Sequence, residues 1–155
     1  MTKNQPVPIE KALPRAQKYC AYQERSQQEV RDKLYSMGLH RKEVEMILSQ
    51  LISDGFIREG RFAAAFAGGK FRMKKWGKTK IKLALKQKAV SDPLIKSALS
   101  QISDTDYRKT LEEVIRSKSK LVKEKDEFKR KHKIASYAIS RGFEPELVWE
   151  VVNGK

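Results

Sequence analysis

SQQEVRDKLYSMGLHRKEVEMILSQLI, residues 26–52, falls without a gap on GKTKIKLALKQKAVSDPLIKSALSQIS, residues 77–103. Val30 meets Ile81, Leu34 meets Leu85, Leu39 meets Val90, Val44 meets Ile95, Leu48 meets Leu99 and Leu51 meets Ile102. A third copy follows, with Ile134, Ala138, Phe143, Val148 and Val152 in the places of Val30, Leu34, Leu39, Val44 and Leu48. The turns between the apolar runs agree as well: SMGLH, KAVSD and SRGFE. Gly38 and Gly142 stand where a helix C-cap takes positive φ, which glycine accepts at least cost. Ala89 occupies that place in the middle copy and caps less well.

Within each copy the spacing is helical. Val30, Leu34 and Met37 follow i, i+4, i+7, and so do Val44, Leu48 and Leu51. Ser26 with Glu29 forms a capping-box pattern, and Ser91-Asp92-Pro93 opens a helix with proline near its first position. A further helix precedes each pair. Pro14 to Arg25 presents Ala16 and Cys20, Arg61 to Lys74 presents Phe62, Phe66, Gly69 and Met73, and Asp106 to Lys125 presents Tyr107, Leu111, Val114 and Ile115. No sustained period of two indicates a sheet. The expected fold is all-α: three tandem three-helix repeats stacked into an elongated, curved chain, because so small a unit buries its apolar face against a neighbour. The expected bounds are a disordered lead over 1–10, then repeats over 11–57, 58–103 and 104–155.

The chain has 155 residues, with 34 Lys and Arg against 19 Asp and Glu, for a net charge of +15. Such an excess points to a polyanionic partner. No apolar run reaches the ~20 residues of a membrane span, the N-terminus lacks a signal-peptide pattern, and one cysteine excludes an internal disulfide framework. A cytoplasmic protein is expected. His40 and His132 lie far apart, with no ligand-spaced cluster around either. Cys20 falls on an apolar helix face and reads as a small buried hydrophobe. Gly68-Gly69-Lys70 fails as a phosphate loop: Ala64 replaces the upstream glycine and Phe71 follows the lysine. No catalytic constellation emerges and no cofactor or metal is expected, so the chain reads as a non-enzyme.

The charge is placed unevenly. No acid stands between Glu59 and Asp92, whereas Arg61, Lys70, Arg72, Lys74, Lys75, Lys78, Lys80, Lys82, Lys86 and Lys88 do. Lys78, Lys82 and Lys86 form an i, i+4, i+8 row beside the buried side of their helix, and Lys88 should snorkel. The matching row of the first repeat is Gln27, Arg31 and Tyr35. The fold therefore does not require lysines there, which favours a binding face. Trp76 either packs on the repeat junction or stacks on a base. A second basic run, Arg116 to Lys133, contains Lys129, Arg130, Lys131 and Lys133. Charge of this kind favours phosphate contacts without sequence readout.

Taken in order, the motifs resemble the RecX family, regulators of the RecA recombinase. They are Ser26-Gln-Gln-Glu29-Val30-Arg-Asp-Lys33-Leu34, the Gly55-Phe56-Ile57 turn, Arg61-Phe62-Ala63, and Gly77-Lys-Thr-Lys80-Ile81-Lys-Leu-Ala-Leu85. The likeness covers roughly residues 10–153. It departs at Arg58, where the family usually has an acid, and at Ala89, where it usually has glycine. The resemblance implies three tandem three-helix repeats, binding in the groove of a RecA–DNA filament, and inhibition of strand exchange, ATPase and co-protease activity in DNA repair. It implies no cofactor. The residues expected at the interface are Arg61, Arg72, Lys74, Lys75, Lys78, Lys80, Lys82 and Lys86, with Lys129, Arg130, Lys131 and Lys133. The expected partners are the RecA filament and DNA, single-stranded and weakly double-stranded, bound by a monomer away from any membrane. The competing reading is a stand-alone helical nucleic-acid-binding protein.

Overall fold

The computed structural model describes residues 7–154. Its helices are α1 (Ile9–Tyr22), α2 (Gln27–Ser36), α3 (Arg41–Ser53), α4 (Glu59–Lys74), α5 (Lys78–Gln87), α6 (Asp92–Ser100), α7 (Asp104–Leu121), α8 (Glu127–Ser140) and α9 (Pro145–Val152). No strand occurs among the described residues. Helices pack chiefly within their own triplet, and in the middle triplet the main contact is α4 on α6.

The repeat register predicted from sequence is the register of the core in its first four rows; in the fifth, Leu48 is buried but Leu99 and Val152 are half-buried. Val30, Ile81 and Ile134 are buried, as are Leu34, Leu85 and Ala138, then Leu39, Val90 and Phe143, then Val44, Ile95 and Val148. The caps follow the sequence too. Ser26 Oγ accepts from the Glu29 amide at 3.1 Å, and the Glu29 carboxylate accepts from the Ser26 amide at 2.9 Å. Gly38 and Gly142 have φ of 83° and 101°, and Ala89 is forced to 62° in the same turn.

Three expectations are corrected. Residues 9 and 10 of the expected lead are helical: α1 begins at Ile9, not at Pro14, and the Val7 amide donates to the Met37 carbonyl at 2.8 Å. Residues 1–6 of the expected lead lie outside the described residues. Pro14 sits inside α1, where it removes one bond, to Glu10, an exposed residue. The inner face of α4 is not Phe62, Phe66, Gly69 and Met73. It is Phe62 with Ala63, Ala67 and Phe71, while Met73 is 83% exposed. Two alanines one turn apart let α6 approach closely, so small residues turn inward and Met73 is left outside. Finally, burial is not shared evenly along the chain. Repeats two and three merge into one core, and repeat one keeps its own.

The molecule is elongated. It exposes 10206 Å², where a compact monomer of its mass would expose ~8,000 Å².

Candidate interaction surface

The acid-free stretch folds as α4, a tight turn and α5. Lys75 caps α4 in the left-handed conformation (φ 54°), and Trp76 and Gly77 carry the chain into α5. Gly77 is buried at the joint between repeats two and three. Its amide donates to the Arg141 carbonyl at 2.8 Å, and the Thr79 amide donates to the Gly142 carbonyl at 3.0 Å. A Cβ on Gly77 would come within 2.2 Å of the Gly142 backbone, and one on Gly142 within 2.4 Å of Lys80 Cβ. Tyr107 completes the joint. Its hydroxyl accepts from the Lys78 amide at 2.9 Å and donates to Glu144, and its ring lies between Phe71 and Phe143. Burial and the Glu144 carboxylate push the Tyr107 hydroxyl well above its usual pKa, so it stays protonated and keeps donating.

The expected interface residues divide by what their side chains already hold. Arg61 is engaged: Nε donates to Glu24 at 2.8 Å and a second nitrogen donates to the Gly55 carbonyl at 3.2 Å. Arg130 is engaged as well, donating to the Val122 and Ser119 carbonyls at 2.5 and 2.6 Å, where it ties down the end of α7. Neither head is available to a partner without breaking those bonds. Lys75 pairs with Glu113 at 3.4 Å, Lys86 with Asp92 at 3.7 Å and Lys133 with Glu124 at 3.2 Å. Such solvent-accessible pairs are weak and screened by salt, so a stronger anion displaces them. Lys131 reaches Asn153 at 3.4 Å. Lys78 covers the Tyr107 ring at 4.9 Å. Arg72, Lys74, Lys82 and Lys129 are exposed, with no ion pair among the described residues. Arg72 lies over Gly68, so its guanidinium is laid along α4.

Trp76 packs against the shared core of repeats two and three, and so takes the junction role. Lys80 and Lys70 both sit near its ring, 4.7 and 5.0 Å from the centroid. Two ammonium groups are thereby held beside one indole by cation–π attraction. Lys88 snorkels as expected, to Glu29 of repeat one at 3.8 Å.

Sequence reading missed a second feature, in repeat three. A cleft of about 670 Å³ between α7 and α8 is lined by Lys118, Lys123, His132, Lys133 and Tyr137. Phe128, 71% exposed, meets His132 with its ring tilted, and His132 also meets Trp149 edge-on. The signal was present as Phe128 and His132 inside the second basic run, four residues apart and so on one side of α8, whereas Tyr137 lies outside that run and on the opposite side of the helix from Phe128. Cys20 is buried, and burial raises its thiol pKa, which disfavours the thiolate. No group of three metal-ligating side chains occurs among the described residues.

The chain matches the first, second and third three-helix domains of RecX over residues 12–51, 59–99 and 105–152. It is also 30% identical over 144 residues to a Regulatory protein RecX from Thermotoga petrophila, covering 92% of this chain and 83% of that one. This chain belongs to the RecX family. A Regulatory protein RecX from Clostridium acetobutylicum is 30% identical over 132 residues, 83% of this chain and 61% of the relative; one from Clostridium tetani is 29% identical over 140 residues, 89% and 64%. The chain thus spans somewhat under two thirds of those two relatives. The fold is that of the crystal structure of RecX from Lactobacillus salivarius, with a TM-score of 0.84 at 23% identity, covering 94% of this chain and 95% of that one. Within the RecX repeat plan, Ala89 and Arg58 carry distinct consequences. Ala89 forces a non-glycine residue into positive φ, whereas Arg58 is simply the exposed N-cap of α4 and makes no side-chain cap.

Proposed function

We propose that the protein regulates the RecA recombinase by binding RecA–DNA filaments, and that it inhibits strand exchange, ATPase and co-protease activity without chemistry or cofactor of its own. Membership in the RecX family, whose relatives are named regulatory proteins, supports the regulatory role. The observation that carries the binding face is the pairing pattern. In the acid-free stretch, Arg72, Lys74 and Lys82 are exposed and unpaired among the described residues, and Lys75 and Lys86 hold only weak exposed pairs. An extended basic protein of this kind follows the phosphates and acidic protein surface of a filament groove. In this reading it acts as a cytoplasmic monomer.

The test replaces Arg72, Lys74 and Lys82 together with glutamate. The variant should fold, since each site is exposed, and should lose inhibition of RecA ATPase on single-stranded DNA. Each phosphate contact removed should lower the salt slope of binding by about 0.7–0.9. Full inhibition by the folded variant at physiological salt would sink the assignment. Repeat three favours a second reading, a nucleic-acid-binding protein acting alone, because Phe128, 71% exposed among lysines, offers a ring to an unpaired base. Equal affinity for bare single-stranded DNA and for RecA-coated DNA would select it.

A further inference from the structure

A groove of about 410 Å³ runs along the outer side of α4, facing the loop between α1 and α2. Phe66, Gly69 and Met73 lie along its floor, with Lys70, Lys74 and Lys88 beside them and Glu24 and Glu29 on the facing side. The monomer makes no use of several of these residues. Met73 is 83% exposed. Lys74 has no ion pair among the described residues. Gly69 stands in the interior of α4, where glycine is less stable than alanine. Its φ is not in the left-handed region, and a Cβ built on it meets nothing within 4 Å. No turn and no internal close approach therefore requires glycine at this position. Gly77 and Gly142, by contrast, touch each other's backbone.

A glycine bare of internal reasons, set between an exposed methionine and a half-buried phenylalanine, leaves room for another backbone to come close. An amphipathic helix laid in a groove uses such a floor. Charge selects among occupants. Glu29 is held by Lys88 and Glu24 by Arg61, so Lys70 and Lys74 are left to favour carboxylates on the incoming surface, and a net charge of +15 opposes a second copy of the same chain. Bases are a poor fit. Lys70 and Lys88 already sit 5.5 and 5.7 Å from the Phe66 ring centroid. We infer that this groove docks an amphipathic helix of a protein partner, its apolar stripe flanked by aspartate or glutamate. The inference stands apart from the identity of the recombinase as partner.

The probe is a fluorescein-labelled peptide with leucines at i, i+3, i+4 and i+7 and glutamates beside them, titrated onto the full chain at physiological salt. Gly69→Leu fills the groove without changing charge, and leucine is the better helix former, so a thermal melt should show the variant at least as stable. Saturable binding should weaken at least about tenfold in Gly69→Leu. Lys70→Glu with Lys74→Glu should reverse the preference, favouring a lysine-flanked peptide over the glutamate-flanked one. Lys74 belongs to both surfaces, so Gly69→Leu separates the proposals: it keeps Arg72, Lys74 and Lys82 and should still inhibit RecA ATPase while losing the peptide, and either result can fail without the other. The inference is overturned if the peptide does not saturate, if Gly69→Leu binds it equally, or if oligo(dT) binding rather than peptide binding is what Gly69→Leu removes. It is also overturned if sedimentation shows a dimer that Gly69→Leu dissolves.

Discussion

The two joints of this molecule occupy equivalent places and are built differently. Between repeats two and three, Gly77 meets Gly142 backbone to backbone, and Tyr107 is buried between two aromatic rings. In the repeat alignment, the pair equivalent to Gly77 and Gly142 is Ser26 and Ala89. Both carry a Cβ. The close approach is therefore unavailable between repeats one and two, and a cleft of about 280 Å³ remains, lined by Gln27, Arg31, Glu59, Lys88 and Ala89 among others. Side chains span it instead. The Gln27 amide donates to Glu59, Arg61 pairs with Glu24, and Lys88 pairs with Glu29. Repeat one accordingly has its own core, while repeats two and three share one. In a repeat protein each interface contributes separately to stability. Two atoms per joint thus decide whether neighbours fuse or merely touch.

The comparison can be broken most severely at Gly77. Gly77→Ala places a methyl group 2.2 Å from the Gly142 backbone, and neither backbone can yield without opening the joint. We expect a loss of about 3 kcal/mol or more, the upper end of overpacking penalties, with scattering profiles that report a longer particle. The equivalent change in the first joint, at Ser26, would test only a helix cap. Tyr107→Phe should come next, at about 1–3 kcal/mol, because the Lys78 amide and the Glu144 carboxylate both lose a buried partner. Denaturant unfolding measures both. A Tyr107→Phe loss within experimental error would mean that the joint rests on the glycine contact alone.

Much of the fold was legible in the sequence. The repeat offset, the capping residues and the core register of α2, α3, α5, α6 and α8 follow from local spacing, and local spacing is what the chain preserves. The face of α4 was misread because that helix is apolar almost all round: Phe62, Ala63, Phe66, Ala67 and Phe71 offer more than one stripe. Only the tertiary neighbour α6 decides between them. The candidate site was less legible for a related reason. Sequence counts charges but does not say which are already engaged. Arg61 and Arg130 read like free cations until Glu24 and the α7 carbonyls come into view. The Gly77–Gly142 contact joins residues of two different repeats, and no spacing rule links them.

A pH experiment sharpens the contrast from the side of the first joint. Partial burial raises the Glu59 pKa above its ordinary 4.5; the bond from the Gln27 amide lowers it and the nearby Glu29 charge raises it, and the balance stays upward. The sign is opposite to that of a typical paired carboxylate. Folding favours the protonated form, so the Glu59 contribution is fully present below the unfolded pKa and lost as pH rises through the folded one. Glu45 and Glu124 behave the other way: hydrogen bonds from Arg31 and Lys133 lower their pKa values, so their contributions fade as pH falls. Glu59→Gln keeps an oxygen for the Gln27 amide and removes the charge. Its melting temperature should match the parent at acid pH and rise above it toward neutrality. A variant less stable than the parent at pH 7 would show that the ionised carboxylate holds the joint together.

The smallest effect belongs to Ala89. Its φ of 62° lies in the left-handed region, which costs a non-glycine residue roughly 1–2 kcal/mol. Gly38 and Gly142 make the same turn without that cost. Ala89→Gly relieves the strain but gives the unfolded chain more freedom, which takes back about 0.4–1 kcal/mol. The net gain should be about 0.5 kcal/mol by denaturant unfolding. The gain should come from the turn and not from the joint, because Ser26 still carries its Cβ and the cleft between repeats one and two stays open. The sharpest form of the experiment therefore measures stability and shape together. Ala89→Gly should raise the unfolding midpoint and leave the scattering profile unchanged. A more compact profile would mean that one methyl group, rather than two, kept the first joint from closing like the second.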